Sequence, residues 1–84
     1  MTTDEIKALI EAAIDAEQVT VKGENGMFDA VVVASQFADL PQVKKQQLVY
    51  ATVREQITRG DIHALSIKTY TPDEWTTASK LLIG

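Results

Sequence analysis

Residues 60–75 read GDIHALSIKTYTPDEW, and this stretch holds a strand with a helix boundary on each side. Gly60 follows a long helical pattern, and glycine is common directly after a helix because it tolerates a positive φ. Residues 62–69 form the predicted strand. Thr71 and Glu74 have the spacing of a capping box, with proline at the first helical position between them, which marks the start of a last helix. The apolar stripe of this helix, predicted to face the core, consists of Trp75, Ala78 and Leu82. The stretch therefore predicts the order helix, strand, helix.

A long helix precedes this stretch and is predicted to run from Pro41 to Arg59, with Asp39 or Leu40 near its cap. Proline fits the first turn of a helix because its fixed φ is already helical. At 100° per residue, one stripe of the helix is predicted to be buried. Its members are Val43, Gln46, Val49, Tyr50, Val53 and Ile57.

The N-terminal part of the chain predicts one helix and a β-hairpin. A capping box at residues 2–5 begins the first helix, whose apolar spacing continues to about residue 16. Residues 19–22 alternate as a short strand, and residues 23–26, GENG, are predicted to form a four-residue hairpin loop. The second strand, residues 27–34, is apolar on both faces, so we expect it at the centre of the sheet.

Together with a short turn or single helical turn at residues 35–40, these elements predict an α+β fold of order αββααβα, in which helices pack on a three-stranded sheet. If the second and third strands are neighbours, they should be parallel and joined through the long helix by a right-handed crossover, and the sheet would then be mixed. A chain of 84 residues has room for one core, so we expect a single domain spanning residues 1–84.

The composition excludes several classes of protein. With 45% hydrophobic and 24% charged residues, the chain resembles an ordinary globular protein. It has no cysteine and therefore no disulfides, and no apolar run approaches the roughly 20 residues of a membrane span. The first residues are acidic and polar, unlike a signal peptide. We expect a cytoplasmic protein that does not enter membranes.

His63 is the only histidine, and it shapes the metal chemistry that the chain can support. One imidazole cannot build a closed metal site, so a metal cofactor would have to be shared with a partner that brings the other ligands. On ligand number alone, a lone histidine is more often structural or solvent-exposed. Met27 offers a thioether, although methionine is more often a core residue.

Catalysis is not expected from this sequence. Asp61, His63 and Ser66 suggest a triad, but strand alternation would place Ser66 on the face opposite the other two. There is no cysteine nucleophile. We therefore predict that the protein is not an enzyme.

Positive charge is concentrated in the second half of the chain. Residues 1–42 carry two lysines against eight carboxylates, whereas residues 43–84 carry six cations against four carboxylates. This asymmetry permits a mildly basic face on a protein of net charge −4. The alternative function, nucleic-acid binding, would use Lys44, Lys45, Arg54, Arg59 and Lys68.

Two blocks of sequence carry a family resemblance. VKKQQLVY at residues 43–50 and IHALSIKTYTPDEW at residues 62–75 closely resemble the BolA family, and most of all its short bacterial IbaG branch. The resemblance covers nearly the whole chain. It implies a fold similar to class II KH domains, which agrees with the predicted order of elements.

The resemblance also implies a partner and a cofactor. Members of the family pair with monothiol glutaredoxins around a [2Fe–2S] cluster, which is shared with glutathione and is not bound by the BolA protein alone. His63 matches the family's histidine ligand in the IHAL block. A second ligand often lies in the hairpin loop just before a phenylalanine, and Met27 stands at that position. The implied function is iron–sulfur cluster trafficking or the sensing of iron or stress.

A second line of function implied by the resemblance is transcriptional. Some family members bind DNA as stress regulators, and the IbaG branch is linked to acid stress. The helix–turn–helix-like stretch of residues 35–59 would carry DNA binding here. A weak homodimer is also compatible with the resemblance.

Overall fold

The computed structural model describes residues 1–83, with side chains up to Lys80. Four α-helices, three strands and one 3₁₀ turn follow one another along this part of the chain. They are α1 (Thr3–Ala13), β1 (Gln18–Glu24), β2 (Met27–Val33), the 3₁₀ turn (Ser35–Phe37), α2 (Gln42–Thr52), α3 (Arg54–Thr58), β3 (Ala64–Tyr70) and α4 (Pro72–Ile83).

The sheet is mixed and has the strand order β1-β2-β3. β1 and β2 pair antiparallel, and Gln18 lies opposite Val33. β2 and β3 pair parallel, and Met27 lies opposite Ala64. The predicted mixed three-stranded sheet with a central β2 is confirmed.

One face of the sheet carries the main core. Helix α1 buries Ile6 and Ile10 there, and the 3₁₀ turn adds Phe37, which has no exposed surface. β2 contributes Phe28, Ala30 and Val32, the face expected from strand alternation. The other face of the sheet is only partly covered, by α4.

Helix α1 begins as predicted and ends earlier than predicted. The side-chain oxygen of Thr2 accepts from the backbone N–H of Glu5, whose carboxylate accepts from the N–H of Thr2. The helix ends at Ala13, because Ile14 leaves the helical conformation (φ −120°, ψ 127°) and buries its side chain in the core. The predicted continuation to about residue 16 was therefore wrong.

The hairpin between β1 and β2 is tighter than the predicted four-residue loop. Glu24 and Met27 still pair across the strands, so the turn consists of Asn25 and Gly26 alone. Both have positive φ, 55° and 81°, as in the two-residue type I′ turn that matches the twist of a hairpin. The prediction erred because the first glycine of GENG belongs to β1.

The predicted long helix is two helices with a break at Val53. The hydroxyl of Thr52 donates to the carbonyl of Val49 at 2.7 Å, and the N–H of Val53 turns instead to the carbonyl of Tyr50 at 3.1 Å. Such local side-chain bonding competes with the helical ladder. The first of the two helices begins at Gln42, and Pro41 lies in its cap position.

The buried stripe predicted for this helix is only partly correct. Val49 and Val53 are fully buried, but Val43 is 63% exposed and Ile57 is 37% exposed. The break at Val53 redirects α3, so a single helical wheel fails for Ile57. Val43 lies at the flank of α2, beside the row of polar residues that faces β3.

That polar row forms a ladder of side-chain hydrogen bonds along the outer edge of β3. The side-chain amide of Gln46 donates to the carbonyl of Ile67 at 3.0 Å, and the hydroxyl of Tyr50 donates to the carbonyl of Leu65 at 2.8 Å. A step of four residues on a helix rises about 6 Å and two residues of strand span about 6.6 Å, so the two rows stay in step. We call this arrangement the α2–β3 ladder.

β3 and α4 also depart in detail from the prediction. The strand runs from Ala64 to Tyr70 rather than over residues 62–69. Trp75 was expected on the core face of the last helix, but its ring packs against Tyr70 on the partly covered face, with ring centres 5.3 Å apart. The side chain of Leu82, expected on the same stripe, lies outside the described residues. Within residues 1–83, no helix is long and apolar enough to span a bilayer.

Candidate functional site

His63 lies in the connection between α3 and β3, directly beside the tip of the hairpin. Its backbone N–H donates to the carbonyl of Gly26 at 2.7 Å, and the N–H of Ala64 donates to the same carbonyl at 3.0 Å. The parallel pairing of β2 with β3 begins with this double contact. The backbone of His63 is therefore fixed to the turn.

The imidazole ring of His63 packs on the bare Cα of Gly26. A Cβ at this glycine would collide with Cδ2 of the ring and would lie 3.3 Å from Nε2. Gly26 therefore does two things, because its φ of 81° suits the turn and its missing side chain makes room for the ring.

The ring is exposed and free to bind a ligand. In the part of the chain with described side chains, neither ring nitrogen of His63 has a hydrogen-bond partner. The nearest carboxylate in sequence, Asp61, is engaged elsewhere, since it accepts from Arg59 at 2.9 Å. Met27, the first residue of β2, is 64% exposed and lies opposite Ala64 in the register.

This donor set fits one shared ligand and does not fit a closed metal site. No cluster of three or more His, Cys, Asp or Glu side chains occurs among the described residues. One imidazole, with a thioether nearby, can complete a coordination sphere whose other ligands come from elsewhere.

The structure does not assemble a catalytic triad from the three residues considered above. Asp61 and His63 precede β3, so the strand alternation used to separate them from Ser66 does not apply to those two positions. No hydrogen bond between any two of the three side chains is present among the described residues. Ser66 instead lies on β3 beside Asp29 and Lys68.

The five cations of the alternative function are distributed over several elements. Lys44 lines a depression with Leu48, Arg59 lines another beside α1, and Lys68 lines a groove on the sheet. Arg59 is paired with Asp61 and, at 3.4 Å, with Glu55. Lys45 and Arg54 lie on α2 and at the start of α3. Their role in nucleic-acid binding stays a prediction.

Two carboxyl groups of the described residues have a lowered pKa, and both belong to capping boxes. The backbone N–H of Thr2 and then its hydroxyl lower the pKa of Glu5. The backbone N–H of Thr71 and then its hydroxyl lower the pKa of Glu74 in the same way, with a smaller contribution from Lys45. Both groups stabilise helix starts.

Sequence reasoning identified His63 but missed two nearby contacts, the packing of its ring on Gly26 and the hydrogen bond from Tyr50 to Leu65. Asn25-Gly26 is a strong signal for a tight turn, but nothing local indicates that the ring of His63 rests on that glycine. The bond from Tyr50 to Leu65, two residues beyond His63, was also missed, because Tyr50 was assigned to the buried stripe.

The site can now be compared with known proteins. Residues 5–74 match the family model described as BolA-like protein. The chain belongs to the BolA family. It is 40% identical over 81 residues to the acid stress protein IbaG of Escherichia coli K12, an alignment that covers 96% of each chain.

Two solved structures share the fold of this chain. A bolA protein homologue from Coxiella burnetii is 38% identical, with a TM-score of 0.78 over 90% of this chain and 97% of that one. Yeast Fra2 is 31% identical, with a TM-score of 0.72 over 89% of this chain and 84% of that one. The predicted family and BolA-like fold are confirmed.

Proposed function

We propose that this BolA protein is an adaptor that pairs with a monothiol glutaredoxin and shares a [2Fe–2S] cluster with it. Its role would be cluster trafficking or the sensing of iron or stress. The observation that carries the proposal is the exposed imidazole of His63, held against the hairpin turn with both ring nitrogens free of partners in the described part of the chain.

A ring that is restricted on one side favours ligation because it loses less conformational freedom when a ligand binds. The backbone of His63 is held by Gly26, and its ring is limited on one side by the same residue. A ligand position that is already ordered raises affinity by reducing the entropy lost on binding.

The need for a partner follows from the donor count. [2Fe–2S] clusters are held by thiolates, with imidazoles in some cases, and this chain contains no cysteine. We therefore expect the glutaredoxin cysteine and a glutathione thiol to supply the remaining ligands. When bound, such a cluster supplies exchangeable iron and a one-electron couple, and a histidine ligand raises its reduction potential.

Met27 is a doubtful second ligand. It is well exposed at the turn, but a thioether prefers softer metals than iron. Its side chain is better placed to contact the partner surface around the ligand. Met27→Leu keeps the apolar surface without the sulfur, so it separates ligation from contact.

The test is to add the protein to cluster-loaded monothiol glutaredoxin and to record visible absorption and circular dichroism. Wild type should change both spectra with a 1:1 end point, and His63→Ala should leave the spectra of glutaredoxin alone. His63→Cys should restore a complex with a different spectrum, because a thiolate replaces the imidazole. Asp61→Asn is the matched control near the site and should behave as wild type.

If wild type left the absorption and circular dichroism of cluster-loaded glutaredoxin unchanged, the proposal would be refuted. A full spectral change with His63→Ala would remove His63 from the ligand set. Loss of the change with Met27→Leu would give Met27 a direct role in ligation, contrary to our assignment.

A further inference from the structure

The partly covered face of the sheet forms a groove that the His63 site does not use. Its volume is about 590 Å³, within the usual range for small-molecule sites. Tyr70 and Trp75 line one part, and Lys22, Asp29 and Lys68 line the remainder with Val31 between them. Neither His63 nor Met27 lines this groove, so the groove and the His63 site are separate.

The strand register orders these side chains into rows. Lys22 lies opposite Asp29, and Val31 lies opposite Lys68, so two rows cross the sheet with one lysine each. Tyr70 lies one row further, opposite Val33. Rows on one face are about 6.6 Å apart and strands about 4.8 Å apart, so the lined area is roughly 13 Å by 10 Å.

The two ends of the groove differ in chemistry. At one end, Tyr70 and Trp75 form a tilted aromatic pair with an interplanar angle of 55°, and both rings are only half-buried. In the two rows beyond this pair, Lys22 and Lys68 form no ion pair with any described carboxylate, although Asp29 lies directly opposite Lys22. Lysine ammonium groups attract anions, and exposed aromatic rings stack on planar groups.

We propose that this groove is a binding site for a small planar aromatic anion. The planar part would pack against Trp75 and Tyr70, and the anionic group would lie beside Lys68 and Lys22. On β3, Lys68 lies one row, about 6.6 Å, from Tyr70, so an anionic group attached directly to the stacked ring falls within reach of the Lys68 ammonium. The proposal does not depend on the shared cluster, because no groove residue contributes to the His63 site.

Removing the carboxylate of Asp29 should change ligand affinity in the opposite direction from removing a lysine. Its carboxylate lies among the lysines and opposes an anionic ligand, so its removal should strengthen binding. If the groove bound only apolar molecules, removing the charge of Lys68 or of Asp29 would leave the affinity unchanged. Opposite responses at Lys68 and Asp29 are therefore specific to an anion at this place.

The experiment is an amide and indole NMR titration of the whole chain with 1-naphthyl phosphate. 1-Naphthol, which has the same ring system without the charge, is the control ligand. We expect saturable shifts centred on Val31, Lys68 and the indole of Trp75, and weaker binding of 1-naphthol. Lys68→Gln should weaken binding about threefold to fivefold, and Asp29→Asn should strengthen it about threefold.

Two further variants complete the design. Trp75→Leu should weaken binding about tenfold, the usual effect of losing one stacking ring. Lys7→Gln removes a lysine from α1, which packs on the opposite face of the sheet, and should leave the affinity unchanged. The amide spectrum of each variant reports whether it is folded, so Lys68→Gln and Asp29→Asn still decide the matter if Trp75→Leu unfolds.

Three results would overturn the proposal. They are shifts that do not saturate or that spread over the surface, equal affinity for 1-naphthol, and an affinity that does not change in Lys68→Gln and Asp29→Asn. None of them bears on the glutaredoxin experiment, which can fail or succeed separately.

Discussion

Replacing Gly26 by alanine tests how the candidate ligand is held, and Gly60 provides a matched control. Both glycines have nearly the same positive φ, 81° and 84°. A Cβ at Gly60 meets nothing within 4 Å, whereas a Cβ at Gly26 meets the ring of His63. The difference between the two variants therefore isolates the contact with the ring.

The expected loss of unfolding free energy has two contributions, the strain of a positive φ and the contact with the ring of His63. An L-residue in the left-handed region costs about 1–2 kcal/mol, so Gly60→Ala should lower the free energy of unfolding by that amount. Gly26→Ala carries the same penalty, and the contact with the ring adds at most about 1 kcal/mol, the lower end of the cost of overpacking, because the exposed ring of His63 can rotate away. In a domain of this size, 1 kcal/mol lowers Tm by about 4–8 °C.

Two assays separate stability from site geometry. Urea unfolding of both variants gives the free-energy difference, and the NMR signal of His63 Hδ2 reports the position of the ring. We expect the ring signal to move only in Gly26→Ala, together with the spectrum of the shared cluster. Equal destabilisation by the two variants, with an unmoved ring signal, would refute the packing of the ring on Gly26.

Two further predictions concern the ladder and the last helix. Gln46→Ala should lower the free energy of unfolding by about 1 kcal/mol, because it removes the hydrogen bond to Ile67. Gln47→Ala, at the adjacent exposed position, is the control and should change the free energy of unfolding by less than about 0.5 kcal/mol. Urea unfolding compares the two variants, and equal effects would contradict the α2–β3 ladder. Because Thr71 lowers the pKa of Glu74, the ionised carboxylate adds stability above the usual titration range of glutamate, and that stability is lost as the pH falls through the lowered pKa. Glu74→Gln should therefore lower Tm at pH 7, and this difference from wild type should shrink as the pH falls through the lowered pKa. A difference in Tm that does not shrink as the pH is lowered from 7 would contradict the role of the charge.

Local signals accounted for much of the fold. The two capping boxes were correct because each is a contact between residues three apart, as in the reciprocal bonds of Thr2 and Glu5. The central position of β2 followed from its apolar character on both faces. Gly60 ends α3 with the positive φ expected of it.

Features that depend on distant contacts were not predictable in this way. The apolar stripe continues through Val53, so periodicity gave no sign that Thr52 would take the carbonyl of Val49 and break the helix. The spacing of Gln46 and Tyr50 is the same whether they are core residues or donate hydrogen bonds to the edge of a strand, as they do here. Only the tertiary structure distinguishes these roles.

The candidate site was predictable in its residue and not in its setting. His63 could be singled out because it is the only imidazole in a chain without cysteine. Its contact with Gly26 joins segments that meet only when β3 pairs with β2. A contact made by strand pairing after a crossover leaves no trace in local sequence.

The parallel pairing of β2 with β3 also has a consequence for the order of folding. The β1–β2 hairpin closes through a two-residue turn, and hairpins of this kind form within about 1–10 μs. β3 must wait for the chain between it and β2 to be arranged, because non-local pairing is slow. The ligand position is therefore complete only once β3 has paired with β2, because His63 meets Gly26 through that pairing. A nascent or partly unfolded chain would present its histidine without the turn that orders it, so partner binding would select the fully folded protein.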